Sequence, residues 1–490
     1  MQTGSQLAVQ SRACEQDDEK QDPIKTVLDP VPGAPDDPHR DELEKQRGTR
    51  EAATGGPPAG ETALDAGRKR GGPLGLLQVL GPGLITGASD DDPSGIGTYS
   101  QAGSQFGFGL LWLALFTFPL MLAVQEACAR IALHTGVGLG VSLRRKFPDW
   151  LVGACILALF IANTLNIGAD IGAVAAGGNL LTRGHVPAAI LVLPVGGLIL
   201  IMQLKLPYIL IFRTFKYLTL ALFAYVVTVF VVHPPLLTTL RATVVPHFEF
   251  NSGFIQIVVA ILGTTISPYL FFWQASSEVD EMRAAGAYTE EKRQGVSRRE
   301  LKAARFDVAV GMLFSQVVMY CIILTAATAL HSSGHSNIQS AQQAATALQP
   351  LAGPFAFILF SVGMIGTGML AIPVLAGSAA YAVKEFSGIR GTLSQKARYR
   401  PTFYAILGLT VVGGVVMNYL SVDPIKALVV VAIINGVVAP PILKLVALLA
   451  RDREVMGDRR SGAVSNALVW VATLLMGVAA VAMVVTLVGV

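Results

Sequence analysis

The stretch GASDDDPSGIGTY, residues 87–99, decides how the chain is read. It lies inside a long apolar run and sets Asp90, Asp91, Asp92 and Pro93 where a membrane segment would be all hydrocarbon. Pro93 removes a backbone donor, and Gly95 and Gly97 weaken helix, so the helix is predicted to break near 88–94. Unpaired backbone at bilayer depth survives only where it lines a cavity or is buried in protein. An ionisable residue inside a span is functional by default. The alternative is a loop between two short helices. It would leave LLQVLGPGLITGAS and IGTYSQAGSQFGFGLL to cross separately, and each is too short.

Working outward, apolar stretches of about 18–25 residues recur, each long enough for roughly 30 Å of hydrocarbon. The predicted spans are 74–101, 106–133, 150–178, 186–203, 208–232, 253–276, 305–330, 352–384, 402–420, 425–449 and 464–489. They are eleven in number, with the first, sixth and eighth interrupted or long. Basic residues concentrate in alternate loops: LRRKFPD (143–149); Lys205, Arg213 and Lys216; Arg283 to Arg305; Lys384 to Arg400; Arg451 to Arg460. The opposite loops are nearly free of them, and HSSGHSNIQSAQQAATALQP (331–350) has none. The positive-inside rule then puts the N-terminus in the cytoplasm and the C-terminus outside a plasma membrane.

Composition agrees. The 490 residues are 52% hydrophobic and 14% charged, against roughly 25% charged in soluble domains. Net charge of +4 is too small to argue for nucleic acid. Three of the four cysteines (Cys128, Cys155 and Cys321, but not Cys14) fall in apolar spans at no useful spacing, so neither disulfides nor a zinc site is expected. The opening residues lack the basic-then-apolar pattern of a signal peptide. Residues 1–70 are polar, with runs such as EQDDEKQDP, and read as a disordered cytoplasmic tail before a transmembrane domain over 71–490.

The sixth span repeats the device of the first. GTTISPYLFFW (263–273) carries Thr264, Thr265, Ser267 and Pro268 at its middle. Two proline-broken helices five spans apart predict an inverted repeat of five helices, about 74–232 and 253–449, with an extra helix at 464–489. The site falls between the breaks. Unwound carbonyls and aspartates present negative potential there, so the expected guest is a cation. Asp92 is the main candidate ligand, Asp91 the second, and Asp90 a residue that caps or pairs.

These residues resemble a known family. GPGLITGASDDDPSG (81–95), TYSQAGSQFGFGLLW (98–112) and QEACARIALHTG (125–136) are similar to the Nramp divalent metal transporters. There the broken first helix reads D-P-G-N, followed by Q-A-G and G-x-x-L-L-W. The second helix reads Q-E-x-x-A-R-x-x-x-x-T-G. The resemblance covers about 74–449 and implies an all-α membrane protein with the LeuT-type five-plus-five inverted repeat and discontinuous first and sixth helices. It also implies a metal held by the Asp and Asn of D-P-G-N, by the Met of M-P-H in the sixth helix, and by backbone carbonyls.

This chain departs from that pattern. Asp92 keeps the Asp, but Gly95 stands at the Asn position, Ser267 at the Met position and Tyr269 at the His position. In the third span GADIGAV keeps Asp170 and puts Ala173 where the family has Glu. A thioether favours soft transition metals. Its replacement by a hydroxyl leaves oxygen donors alone, and Mg²⁺ is held by one or two carboxylates with several retained waters. The pattern resembles the Nramp-related magnesium transporter branch, with Mn²⁺ as the alternative ion and Fe²⁺ as a third.

The expected ligands are the Asp92 carboxylate, the carbonyls of Ser89 and Thr264, Ser267 directly or through water, and Asp91, with Tyr269 lining the cavity. Loss of the sixth-helix His and third-helix Glu implies weak or absent proton coupling. The function expected is therefore import of divalent cations by alternating access. An amino-acid or organic-solute symporter on the same scaffold is the alternative, disfavoured because three acids repel a carboxylate. No nucleophile–base pair or phosphate loop suggests an enzyme, and no cofactor is expected beyond the transported ion. The lipid bilayer is the only other partner implied, and the oligomeric state is open. Glu126 and Arg130, four apart on one helix face, are expected to pair.

Overall fold

The computed structural model describes residues 81–206, 222–249, 251–334, 338, 340–393, 395, 397–419 and 424–488. The tail 1–70 with Cys14, residues 208–221 of the fifth predicted span, Arg213, Lys216, His335 and Lys396 lie outside them. Every element among the described residues is helical. The principal helices are α1 (Pro82–Asp90), α2 (Pro93–Phe106), α3 (Trp112–Thr135), α4 (Leu139–Lys146), α5 (Asp149–Leu181), α6 (Ala188–Lys205) and α7 (Phe223–Val232). They continue as α8 (Leu236–Val244), α9 (Ser252–Thr265), α10 (Pro268–Ala284), α11 (Arg298–Ala329), α12 (Ala356–Ser387), α13 (Pro401–Asn418), α14 (Pro424–Leu449) and α15 (Ala463–Val488).

Among the described residues nine segments are long and apolar enough to cross a membrane, α9 and α10 counting as one, Ser252–Ala284. The first predicted span is described from residue 81 on, as α1 and α2 with the predicted break between them, and the fifth is described only for α7. Burial separates centre from rim. Inside Ser252–Ala284 the most apolar window is 83% buried, whereas in α6, α13 and α15 the share is 28%, 33% and 33%. Exposed Leu193, Ile201, Leu409, Leu474 and Val478 on those outer helices suit contact with lipid chains.

The two breaks have one local cause. Proline at the first position of α2 and of α10 removes the amide the preceding turn needs and pushes the residue before it to extended backbone. The dihedrals repeat accordingly. Asp91 (φ −81, ψ 54) and Asp92 (φ −71, ψ 171) match Ile266 (φ −109, ψ 55) and Ser267 (φ −74, ψ 130). Each break is thus two residues followed by proline.

Glycine contacts fix where the first halves sit. A Cβ on Gly87 would lie 2.1 Å from the Gly311 carbonyl oxygen, and one on Gly311 would lie 2.1 Å from the Gly83 oxygen. Helix α1 therefore rests backbone to backbone on α11, the close approach small residues permit in membranes. Helix α9 does the same on α14, where a Cβ on Gly263 would meet the Ala432 oxygen at 2.0 Å.

Candidate cation site

The end of α1 and the start of α10 touch directly: the Tyr269 hydroxyl donates to the Ser89 carbonyl at 2.9 Å. On the other side, Ser94 Oγ at the start of α2 lies 3.3 Å from Thr264 Oγ1 in the last turn of α9. The breaks therefore face each other deep in the protein. Asp90, Asp91, Asp92 and Asp170 are all 0–1% exposed, a burial that demands compensation for every ionised carboxylate.

Asp92 is the N-cap of α2. Its Oδ1 accepts from the Gly95 amide at 2.9 Å and from Ser94 Oγ at 2.5 Å. Its Oδ2 accepts from Asn166 Nδ2 of α5 at 3.0 Å. These donors fix the carboxylate's direction; Oδ1 already accepts twice, and Oδ2 retains acceptor capacity. Asp90 and Asp91 turn elsewhere. Ser315 on α11 lies 2.6 Å from Asp90 Oδ2 and 3.2 Å from Asp91 Oδ1. It has one hydrogen for the two.

The remaining expected ligands have partners already. The Ser89 carbonyl accepts from Tyr269, so Tyr269 is a strut between α1 and α10 as well as a wall. Ser267 Oγ bonds back to its own helix, 2.6 Å from the Gly263 carbonyl and 2.8 Å from that of Thr264, the local serine bond that competes with helix. Its lone pairs, rather than its hydrogen, remain for a guest. Gly95 has neighbours close by: a Cβ there would stand 3.1 Å from Tyr99 Cε2 and 3.4 Å from Thr264 Oγ1. Among the described residues no three His, Cys, Asp or Glu side chains are grouped to hold a metal. A cation here relies on one or two carboxylates with neutral oxygens.

Sequence reasoning missed Asn166, Ser94 and Ser315. Asn163, Asn166 and Asp170 fall three and four apart in an otherwise apolar span, which puts them on one helix face; that spacing was the available signal. Asn163 anchors the face, donating from Nδ2 to the Leu375 carbonyl of α12 at 3.1 Å. Glu126 and Arg130 do pair, with Arg130 Nε donating to Glu126 Oε1 at 3.0 Å. Ser465 Oγ of α15 donates to Glu126 Oε2 at 3.1 Å, and Arg130 Nη1 donates to the Arg459 carbonyl at 3.3 Å. The pair ties α3 to the last helix and lies in a structural contact.

The profile of the Nramp family, natural resistance-associated macrophage protein-like, matches residues 83–486. The divalent metal cation transporter MntH of Aeromonas hydrophila is 27% identical over 414 residues, covering 80% of this chain and 91% of the relative. That of Klebsiella pneumoniae is 26% identical over 389 residues, covering 78% and 87%. Among solved structures, the Eremococcus coleocola manganese transporter in complex with an aromatic bis-isothiourea substituted compound superposes with a TM-score of 0.61 at 15% identity. It covers 82% of this chain and 85% of that one. A nucleobase-cation-symport-1 family transporter in a closed conformation gives 0.53 at 14%, covering 83% and 90%. At such identities the structures speak for the fold, a LeuT-type inverted repeat with discontinuous first and sixth helices. With both breaks and the Glu126–Arg130 pair inside the matched region, the chain belongs to the Nramp family.

Proposed function

We propose that the chain is a secondary transporter that brings divalent metal cations into the cytoplasm by alternating access. Its preferred ions are Mg²⁺ and Mn²⁺, ahead of Fe²⁺. The curated relatives are named divalent metal cation transporters and a structural neighbour is a manganese transporter. The observation that carries the reading is Asp92, a buried carboxylate at the break, aimed by Ser94, Gly95 and Asn166. Ser89, Gly95, Thr264, Ser267 and Tyr269 form the surrounding wall, with Asp91, one oxygen of which leans toward Ser315, at its edge. Serine at position 267 offers a hard oxygen where the family pattern has a thioether, which tilts the site away from soft metals. With no side-chain amide at position 95 to replace a water, the site suits an ion that keeps part of its water shell.

In this reading the transporter lies in the plasma membrane with a cytoplasmic N-terminus, residues 74–232 and 253–449 being the two repeats. Proton coupling is weak or absent, because tyrosine stands at the sixth-helix histidine position and the third-helix glutamate is replaced. Membrane potential suffices as a driving force: a double charge gains about 4.6 kcal/mol per 100 mV.

The test is uptake of Mg²⁺, Mn²⁺ and Ca²⁺ into proteoliposomes, with a pH dye inside. Asp92→Ala is expected to abolish uptake of every ion, and Ser267→Met to raise Mn²⁺ and Cd²⁺ transport relative to Mg²⁺. Variants that behave like the parent for every ion would refute the placement of the site. Robust metal-driven proton uptake would refute the uncoupled mechanism.

A further inference from the structure

Helix α5 supplies a face that the expected ligand set does not use. Asn166 and Asp170 are one turn apart on it, and both are completely buried. Asn166 Nδ2 donates to Asp92 Oδ2 at 3.0 Å. The carboxylate only accepts, so the amide nitrogen must be the atom facing it. Asn166 Oδ1, on the same carbon, is left as a buried oxygen with no hydrogen-bond partner among the described residues. Both oxygens of Asp170 are in the same condition. Asp170 lies beside the break: a Cβ on Gly368 would be 3.3 Å from Pro93 Cγ and 3.8 Å from the Asp170 carbonyl oxygen. The Asp92 carboxylate and the Ser94 amide are its nearest electrostatic neighbours.

An ionised carboxylate this deep, with only the Ser94 amide turned toward it and no hydrogen bond of full geometry, is very costly. Protonation would remove the charge but leave a hydroxyl and a carbonyl still needing partners. Asp90 and Asp91 share the one Ser315 hydroxyl and each keeps an oxygen without a partner, but they lie on the α11 side, away from Asn166. We propose that Asn166 and Asp170 form a third wall of the cation site, the Asp170 carboxylate facing Asp92 across the ion and Asn166 Oδ1 giving a neutral oxygen donor between them. Two carboxylates and a hard dication then sum to zero charge, with an amide oxygen and retained water completing the shell, as suits Mg²⁺ or Mn²⁺. The amide absent at Gly95 is supplied from α5. This inference rests on Asp92 as the main ligand, and it adds ligands from a helix outside the two breaks.

The test uses the purified full chain in nanodiscs, with Mn²⁺ binding followed by electron paramagnetic resonance and Mg²⁺ by competition. Asp92→Asn, Asp170→Asn and Asn166→Ala are compared, each checked for a monodisperse elution peak. Asp170→Asn is expected to weaken both ions at least tenfold, and Asn166→Ala to weaken binding and change the Mg²⁺:Mn²⁺ affinity ratio at least threefold. If either variant fails to fold, Asp170→Glu and Asn166→Gln keep the donor type and displace it. A changed ion ratio is then expected, which a purely structural role would not move. An unchanged ratio and affinity in the α5 variants, with binding lost in Asp92→Asn, overturns the third wall and leaves the proposed site standing. Parental binding by Asp92→Asn overturns both.

Discussion

Asp307→Asn should release α1 from the protein core by roughly a hundredfold. Helix α1 has no side-chain cap of its own. Its first amides are satisfied from another helix: Asp307 of α11 accepts from Gly81 at 2.9 Å and Leu84 at 3.3 Å through Oδ1, and from Gly83 at 2.6 Å through Oδ2. Asparagine keeps one acceptor oxygen. In its better orientation it retains the Gly81 and Leu84 bonds and turns an NH₂ against the Gly83 amide. One charge-assisted hydrogen bond, worth about 1.5–3 kcal/mol, is lost outright, and the other two lose their charge assistance. A total near 3 kcal/mol, about a hundredfold in the opening equilibrium, follows at about 1.4 kcal/mol per tenfold. Leu84→Cys gives the readout, since this half-buried position reports maleimide access to α1. Cys128, Cys155 and Cys321 are buried, and labelling of the protein without Leu84→Cys is subtracted. In the regime where closing outruns labelling, the rate scales with the open population. A labelling rate within threefold of the Asp307 parent would refute the latch.

Gly311→Val drives a branched side chain into the Gly83 carbonyl; overpacking of this kind costs typically about 1–3 kcal/mol, so the melting temperature in detergent and the initial uptake rate should both fall. Arg130→Ala strands Glu126, which is 5% exposed; breaking a buried pair costs about 3–5 kcal/mol, while Ser465→Ala should cost about 1 kcal/mol, and thermal melts separate the two. Arg145 holds Glu290 in a two-point contact of 2.7 and 3.0 Å. Burial pushes the Glu290 carboxyl up, but the hydrogen bonds and charge of Arg145 outweigh it and hold it below its usual range. Its stabilisation is therefore present above the unfolded value and lost as pH falls through the folded one. Arg145→Gln should lower stability by about 0.5 kcal/mol at pH 7 and make no difference once the pH is low enough to protonate the folded carboxyl, as read from denaturation curves at each pH.

The membrane class and the two breaks were legible in the sequence because they are local. Proline at positions 93 and 268 dictates the missing amide and the extended residue before it, whatever surrounds them. The backbone angles at Asp91–Asp92 and Ile266–Ser267 duly repeat. The pairing of Glu126 with Arg130 was equally local, a matter of helix period. What the sequence left hidden is set by neighbours remote along the chain. Ser315 reaches the acids of α1 across 225 residues and Asn166 reaches Asp92 across 74, and no spacing rule fixes such partners. The Ser89 and Thr264 carbonyls were placed by their position at the breaks. Their engagement by Tyr269 and Ser267 depends on rotamers and helix approach, which hydropathy does not encode.

The departures from the family pattern make one physical whole when taken together. A side chain at position 95 would press on Tyr99 and Thr264, so an amide there requires both to yield. The amide found beside Asp92 comes instead from Asn166 on α5. Serine at 267 is tied to its own helix and projects less than a methionine would. Each change subtracts bulk or softness from the α2–α9–α10 side, while Asn166 and Asp170 keep polar atoms on α5. A site so arranged loses the means to strip and grip a soft, easily dehydrated ion. Under the proposed reading such a site suits a hard ion that keeps part of its water, with Asp92 and Asp170 as the carboxylates that would balance its charge.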